Sequence, residues 1–382
     1  MKEAPVTSND ARRDRVTHGG LTPRRSPDCG HPTRNLMSDL LTRLPPSGRL
    51  VTIPRMKAYL TSPPGGWDAS QITEIPLEPG RPDQVLLAVN AVGLNPADAF
   101  QVEGRYPGQP DPPFIVGRDG TGIVIHGDAA GRWKAGDEVV LLQSSSRDLS
   151  HGLLVEQQWL AAENLARIPA GWSRHQAAAA SLVYLTAWKA LTGPAPVTNG
   201  QVVLVTGASG GVGLAAVQLA AGLGATVVGL SRSESKRERL LAEGAHFAFA
   251  PDHPKLKDAI VQAVGKNGVD VVVENVGGDS LTQAVRLLNV HGRISVVGVL
   301  AGVEAALPIP SFMFKRASLH GILVSDYSPA DAQFAWSLIV KLLDRTSRRP
   351  VIDRVFPFSE IEAAFKHLRG DVFGKVVVEV TK

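Results

Sequence analysis

The stretch LVTGASGGVGLAAVQLA, Leu204 to Ala220, carries two chemistries in one turn. Gly207-Ala208-Ser209-Gly210-Gly211 fits G-x-S-x-G, the elbow that presents a nucleophilic serine for acyl transfer. Ala208-x-Gly210-x-x-Gly213 fits the dinucleotide pattern with alanine in place of the first glycine. In that pattern glycines let the backbone approach a diphosphate, and the following helix offers free N–H groups and a positive dipole end.

A hydrolase needs its partners in chain order: serine, acid, histidine. Ser209, Asp326 or Asp344, and His367 supply that order. Three features favour the dinucleotide instead. Gly213 stands where close helix–strand packing requires a glycine, which a nucleophile elbow does not need. The next strand ends in GLSRSESK, so Ser231, Arg232 and Lys236 lie just past its tip, where a cofactor's adenosine ribose sits. An acid there would bind the 2′-hydroxyl of NAD. Here the first acid is Glu234, while a hydroxyl and two cations stand ready for a 2′-phosphate. Finally, HGG, which could resemble an oxyanion motif, occurs at 18–20, far from this turn. Ser209 is therefore read as a backbone phosphate contact beside Gly210, Gly211, Val212 and Gly213, and the cofactor as NADPH. The charged run SRSESKRERL also has a plainer reading as a solvated helix start.

The elements around this turn alternate. Strands are expected at Val202–Val205, Thr226–Leu230, 246–250, Val269–Glu274 and Arg293–Val299. Helices are expected at Val212–Ala221, Glu234–Ala242, Pro254–Val264 and Ser280–Leu288. That rhythm specifies a doubly wound parallel sheet with helices on both faces, an α/β architecture. A long helix is expected across HQAAAASLVYLTAWKAL. Before it, QVLLAV, GTGIVIHG, DEVVLLQ and LLVEQQWL are short β-type runs between turn residues. After position 322 the chain ends in an amphipathic helix, FSEIEAAFKHLRG, and a strand, GKVVVEV.

Residues 1–55 hold ten Lys/Arg against five Asp/Glu, and the remaining 30 basic and 31 acidic residues nearly cancel. A neutral body gives no electrostatic case for nucleic acid. The first 55 residues are rich in Arg, Pro, Ser and Thr without periodicity, so they read as a disordered extension ahead of Met56. Cys29, the single cysteine, lies there; the body has no thiol for a disulfide, a metal or a nucleophile, which fits a reducing cytoplasm. No apolar run reaches membrane-spanning length, so no membrane is expected as partner.

From 56 to 382 the sequence resembles the medium-chain dehydrogenase/reductase superfamily, in its zinc-free quinone oxidoreductase branch. VGLNPADAF (92–100), GRYPGQPDPPFIVGRDGTGIV (104–124), GDEVV (136–140) and AAAASLVYLTAW (177–188) carry the match. VLVTGASGGVGLAAVQLA (203–220), NVGGDSL (275–281), GRISVVG (292–298) and GKVVVEV (374–380) continue it. The resemblance implies a GroES-like β-barrel catalytic domain from 56–176 and 322–382 around a Rossmann NADPH-binding domain at 177–321. It also implies a homodimer paired through the strand near SLHGILVS (318–325).

Zinc-dependent members place a cysteine ligand where this chain has Asn95 and a His-Glu pair where it has Arg118-Asp119; the four-cysteine lobe is absent. No metal is therefore expected, and eight histidines in the body show no ligand spacing. Without a Lewis acid, hydride delivery suits an electron-poor carbon, as in a quinone or an α,β-unsaturated carbonyl, with hydrogen-bond donors stabilising the oxyanion. Asn95 is one candidate donor, with an amide that ties a loop as its other reading. Tyr106 is the second, with a packing tyrosine as its other reading. Asp98 is expected to fix the loop. On the cofactor side the resemblance implies Thr186, Asn275 with Gly277, Val299 and Lys375, and LPIPSFMFKRAS (307–318) covering the substrate mouth. Two alternatives stand beside the leading one: an enoyl thioester (enoyl-CoA) reductase, for which Lys315-Arg316 would meet a carrier phosphate, and a non-catalytic NADPH-binding protein.

Overall fold

The computed structural model describes residues 54–142 and 150–381. The expectations for residues 1–53, Cys29 among them, lie outside the described residues. Arg55 already belongs to the first strand, where it pairs with Pro76 in register and with the Glu74 carboxylate.

The chain begins with β1 (Arg55–Thr61), β2 (Ser70–Pro76), β3 (Gln84–Gly93), α1 (Pro96–Val102), β4 (Phe114–Ile115) and β5 (Gly120–His126). It continues with β6 (Glu138–Leu141), β7 (Gln157–Ala161), β8 (Leu165–Arg167), α2 (Arg174–Ala178) and α3 (Ser181–Thr192). The alternating part holds β9 (Val202–Val205), α4 (Gly211–Gly222), β10 (Thr226–Leu230), α5 (Glu234–Ala242), β11 (Phe247–Phe249) and α6 (Leu256–Val264). It goes on through β12 (Val269–Glu274), α7 (Asp279–Leu287), β13 (Leu288–Val296), α8 (Ile309–Phe314) and β14 (Ser318–Gly321). The chain closes with α9 (Pro329–Arg345), β15 (Ile352–Pro357), α10 (Ile361–Leu368) and β16 (Lys375–Glu379).

The six strands β9 to β14 form one parallel sheet in the order β11-β10-β9-β12-β13-β14. Chain order therefore reverses between β9 and β12, which opens a crevice at their carboxyl ends. β9, VVLV, is buried at every position, as a central strand covered by helices on both faces must be. The β-rich part forms a sheet ordered β15-β16-β3-β5-β6-β8, with β7 also on β3, and a small sheet β2-β1-β4. β16 runs antiparallel to β3, Val377 opposite Gly93 and Val378 opposite Val92. The chain's end thus completes this layer, and Phe356, Ile361, Phe365, Val376 and Val378 share a core with Tyr59, Val89 and Phe114.

Three differences from the sequence reading have physical causes. The single helix expected across 175–191 is two, because Asp119 from the β-rich layer accepts from Ser181 Oγ at 2.5 Å and Leu182 N at 3.1 Å and starts a new helix there. α1 was not expected: it is short, and its start at Pro96 follows Asn95, whose backbone N–H donates to Asp98 Oδ2 at 2.8 Å. The boundary drawn at 322 would give α9 to the barrel, yet its Ala332, Trp336, Ile339 and Leu343 join the core of α3, α4 and β9.

Candidate active site

The glycine turn joins β9 to α4 at the crevice. Gly207 has φ +55°, and α4 starts at Gly211, one residue before expectation. A Cβ on Gly213 would stand 2.3 Å from Gly207 O and 2.7 Å from Ala208 Cα, so only glycine lets the helix approach the strand this closely. Gly211 is pressed by Lys375 Cδ, 2.9 Å from its would-be Cβ, whereas Gly210 meets nothing nearer than 3.5 Å and Val212 opens the helix behind it. Ser209 Oγ accepts from Ser231 Oγ at 3.4 Å, which ties this turn to the tip of β10.

Among the described residues no hydrolytic triad forms around Ser209. His367 holds Asp353 at 2.6 Å, Asp326 pairs with Lys189 at 3.3 Å, and Asp344 pairs with Arg349 at 2.9 Å.

Past β10, Arg232 is exposed and its guanidinium has no hydrogen bond or ion pair among the described residues. Arg237, which the sequence reading missed, donates to the carbonyls of Ser231 and Arg232 at 3.0 and 2.9 Å and fixes the tip. Lys236 was expected as a second open cation. It is instead buried, donates to Val372 O at 2.8 Å and forms an ion pair with Asp371.

Where β3 leads into α1, buried polar side chains converge. Lys375 Nζ donates to Leu94 O at 2.9 Å, to Asn95 Oδ1 at 2.7 Å and to Asp119 Oδ2 at 3.3 Å. Asn95 also donates from Nδ2 to Gly93 O at 3.0 Å, so the amide ties its loop and orients Lys375 together. Lys375 was expected to touch the cofactor; its stem lies against Gly211, but its ammonium faces Asn95 and Asp119. Burial pulls the Lys375 ammonium below its ordinary pKa, and Asp119 and Asp98 oppose that shift.

Asp98 is fully buried and faces Arg118 Nε at 3.7 Å. Its burial raises the carboxyl pKa, and the Arg118 charge opposes the rise. Arg118 also donates to Gln101 at 3.1 Å, and its guanidinium lies 3.8 Å from the centroid of the Tyr106 ring. Tyr106 thereby joins the site through a cation face, and its phenol remains half-buried. Ser181 and the Arg118–Asp98 pair were missed; a hydroxyl inside the apolar run AAAASLVYL was the one available signal.

The remaining candidates lie on α3, at the tip of β12, after β13 and on α8. Thr186 Oγ1 donates to Leu182 O at 2.7 Å within α3. Asn275, at the tip of β12, donates from its backbone N–H to Thr206 Oγ1 at 2.9 Å and from Nδ2 to Thr206 O at 2.8 Å. Its Oδ1 is buried without a partner among the described residues, which leaves an acceptor open to a ligand's donor. Val299, after β13, is 45% exposed. On α8, Ile309, Met313 and Phe314 are exposed, while Phe312 packs inward. The orphaned acceptor, the tight glycine turn and the open Arg232 fit a dinucleotide lying across the strand tips.

A metal fits the β3–α1 site poorly. The donor set is an amide and two carboxylates, Asp98 and Asp119, each already paired with a cation, and a Zn²⁺ would face the Lys375 ammonium and the Arg118 guanidinium. Among the described residues no group of three or more His, Cys, Asp or Glu side chains could hold an ion. Among them also, no helix is long and apolar enough to cross a membrane.

Two family models match: the alcohol dehydrogenase GroES-like domain over residues 81–180 and the zinc-binding dehydrogenase over 211–341. Human quinone oxidoreductase is 31% identical over 286 residues, 75% of this chain and 85% of that protein. Quinone oxidoreductase-like protein 2 of Bos taurus is 32% identical over 302 residues, 78% of this chain and 85% of that protein. Among solved structures, a putative alcohol dehydrogenase from Sinorhizobium meliloti 1021 superposes with a TM-score of 0.77 at 27% identity. It covers 87% of this chain and all of its own.

Proposed function

The chain belongs to the medium-chain dehydrogenase/reductase superfamily, in its quinone oxidoreductase-like branch, and from that premise we propose that it is an NADPH-dependent, zinc-independent reductase of quinones or α,β-unsaturated carbonyls. The observation that carries this reading is the donor floor beside the glycine turn, where Lys375, Asn95, Arg118 and Tyr106 gather around residues that the resemblance aligns with the metal ligands of zinc-dependent members. The bound nicotinamide supplies hydride to the electron-poor carbon. Asn95, held by Lys375, and Tyr106, stacked under Arg118, offer the hydrogen bonds that the developing oxyanion needs, and the conjugated system spreads its charge. A phenol can also return the proton that completes the reduction.

NADPH is favoured because the β10 tip presents Ser231 and an open Arg232, with Glu234 as the first acid beyond them. The enoyl thioester reading loses support, since Lys315 is engaged by the carbonyls of Val285 and Arg286 at 3.0 and 2.7 Å. The test is NADPH oxidation by purified protein against a panel of quinones, enones and enoyl-CoA esters. Turnover with quinones or enones is expected; turnover confined to the thioesters would replace this reading, and none with any acceptor would leave the non-catalytic NADPH-binding protein.

We also propose a homodimer through β14, an edge strand of the parallel sheet, with exposed Leu319 on it and exposed Leu323 just after it. Ile322 and Val324, expected on the same edge, pack against the main core. Light scattering at micromolar concentration should report a dimer, and a monomer would refute it.

A further inference from the structure

We propose that Asp371 is a built-in placeholder for the cofactor's 2′-phosphate and so sets how strongly the protein distinguishes NADPH from NADH; this rests on the reading of the β10 tip given above. Lys236 and Asp371 are unequal partners: their side chains are 9% and 79% exposed. A buried ammonium needs a nearby anion or acceptors, since leaving it uncompensated is strongly unfavourable. An exposed carboxylate on a loop contributes little by pairing and returns to water easily. Asp371 can therefore leave, and Lys236 keeps its hydrogen bond to Val372 O.

The segment carrying Asp371 lies against both cofactor-facing tips. Phe373 lies under the Arg239 guanidinium at 3.8 Å and donates its N–H to Asp353 Oδ1 at 3.0 Å. Gly374 donates to Ser209 O at 2.9 Å and pairs with Gly210 in a single bridge. Lys375 then enters the polar floor. These contacts hold the segment when Asp371 turns outward, so exchange at Lys236 is local.

A 2′-phosphate arriving at this tip brings roughly two negative charges. It either takes Lys236 from Asp371 or lies beside a like charge. Both weaken NADPH binding, and neither touches NADH, whose 2′-hydroxyl cannot displace a carboxylate from an ammonium. Asp371 is thus a specificity-determining residue that acts through Lys236. It keeps the buried cation paired when the site holds no phosphate.

The experiment is a calorimetric titration of wild-type protein and variants with NADPH, NADH, adenosine 2′,5′-bisphosphate and 5′-AMP. Asp371→Asn should tighten NADPH and the bisphosphate by about tenfold, with NADH and 5′-AMP within about twofold of wild type. In a Lys236→Met background the same substitution should gain far less, because only the repulsion between the Asp371 carboxylate and the phosphate is left to relieve. No change, or an equal change for all four ligands, overturns the proposal. A fall in Tm with weaker binding of every ligand overturns it too, because Asp371 would then be a structural latch. Arg232→Ala separates the underlying reading: if bisphosphate binding is unaffected by it, the β10 tip is not the phosphate site. If Arg232→Ala weakens bisphosphate binding while Asp371→Asn is silent, only the placeholder fails.

Discussion

Lys375 and Asp119 form a buried ion pair, Nζ to Oδ2 3.3 Å, with side chains 5% and 0% exposed. The pair joins the last strand to the turn before β5, and Asp119 reaches on to Ser181 at the start of α3. Lys375→Met would leave the carboxylate buried with Ser181 and Leu182 as donors and no cation. Breaking such a pair from one side costs about 3–5 kcal/mol. Urea unfolding should show a loss of that size, and Lys375→Met with Asp119→Asn together should lose less than the two single losses combined. Strictly additive losses would mean that the two charges do not interact.

Alkaline pH should unfold the protein through its tyrosines. Burial, with Glu362 nearby, pushes Tyr59 up to about 12, and burial with Asp331 does the same for Tyr327. The unfolded chain ionises these phenols near 10. Their contribution is therefore complete below pH 10 and is lost as pH rises through about 12. Tyr59→Phe should move the alkaline unfolding midpoint upward, followed by far-ultraviolet circular dichroism across that range. A midpoint that moves downward would contradict the sign.

The parallel sheet was legible in the sequence because each of its elements is local. Thr226–Leu230 and Glu234–Ala242 form as read, and β9 is apolar at every position because both its faces are covered. α9 was missed although its start signal is local: Ser328 caps it, with Oγ accepting from Asp331 N at 3.1 Å, and Pro329 follows at its first position. The site was legible only in its residue types. Asn95 and Lys375 are 280 positions apart, and their contact follows from β16 pairing with β3, which no local pattern encodes. Lys236 was visible as a cation, but its partner Asp371 sits in a loop with no periodicity to place it.

Arg232 should carry most of the preference for NADPH, since it is the exposed cation of the β10 tip while Lys236 is engaged. A charge-assisted hydrogen bond to phosphate contributes about 1.5–3 kcal/mol, so Arg232→Ala should raise KM for NADPH by about tenfold or more. KM for NADH should stay nearly unchanged. Equal losses for both cofactors would assign Arg232 to the fold, and a wild-type preference for NADH would remove the argument.

Activity should survive chelation. The donors at the β3–α1 site are an amide and two carboxylates, each engaged by a cation that would repel a metal ion, a poor match to the free neutral or anionic ligands that zinc requires. Elemental analysis of pure protein should find no stoichiometric zinc, and dialysis against a chelator should leave turnover intact. About one zinc per chain, removable with loss of activity, would sink the zinc-independent reading.

Gly210 and Gly213 should separate binding from folding within one motif. At Gly213 a methyl group would stand 2.3 Å from a carbonyl oxygen and 2.7 Å from a Cα, both backbone atoms that cannot swing aside. Helix and strand would have to part, and overpacking of this kind costs about 1–3 kcal/mol. At Gly210, with φ −80°, the nearest atom is 3.5 Å away, so alanine fits the chain without strain. Its methyl group would instead crowd the surface where a diphosphate approaches the helix start. Gly213→Ala should therefore lower Tm and weaken cofactor binding together. Gly210→Ala should keep Tm and weaken cofactor binding alone, as read by thermal melts beside NADPH titration. A Gly210→Ala protein that binds NADPH as well as wild type would mean that the dinucleotide does not lie on this turn.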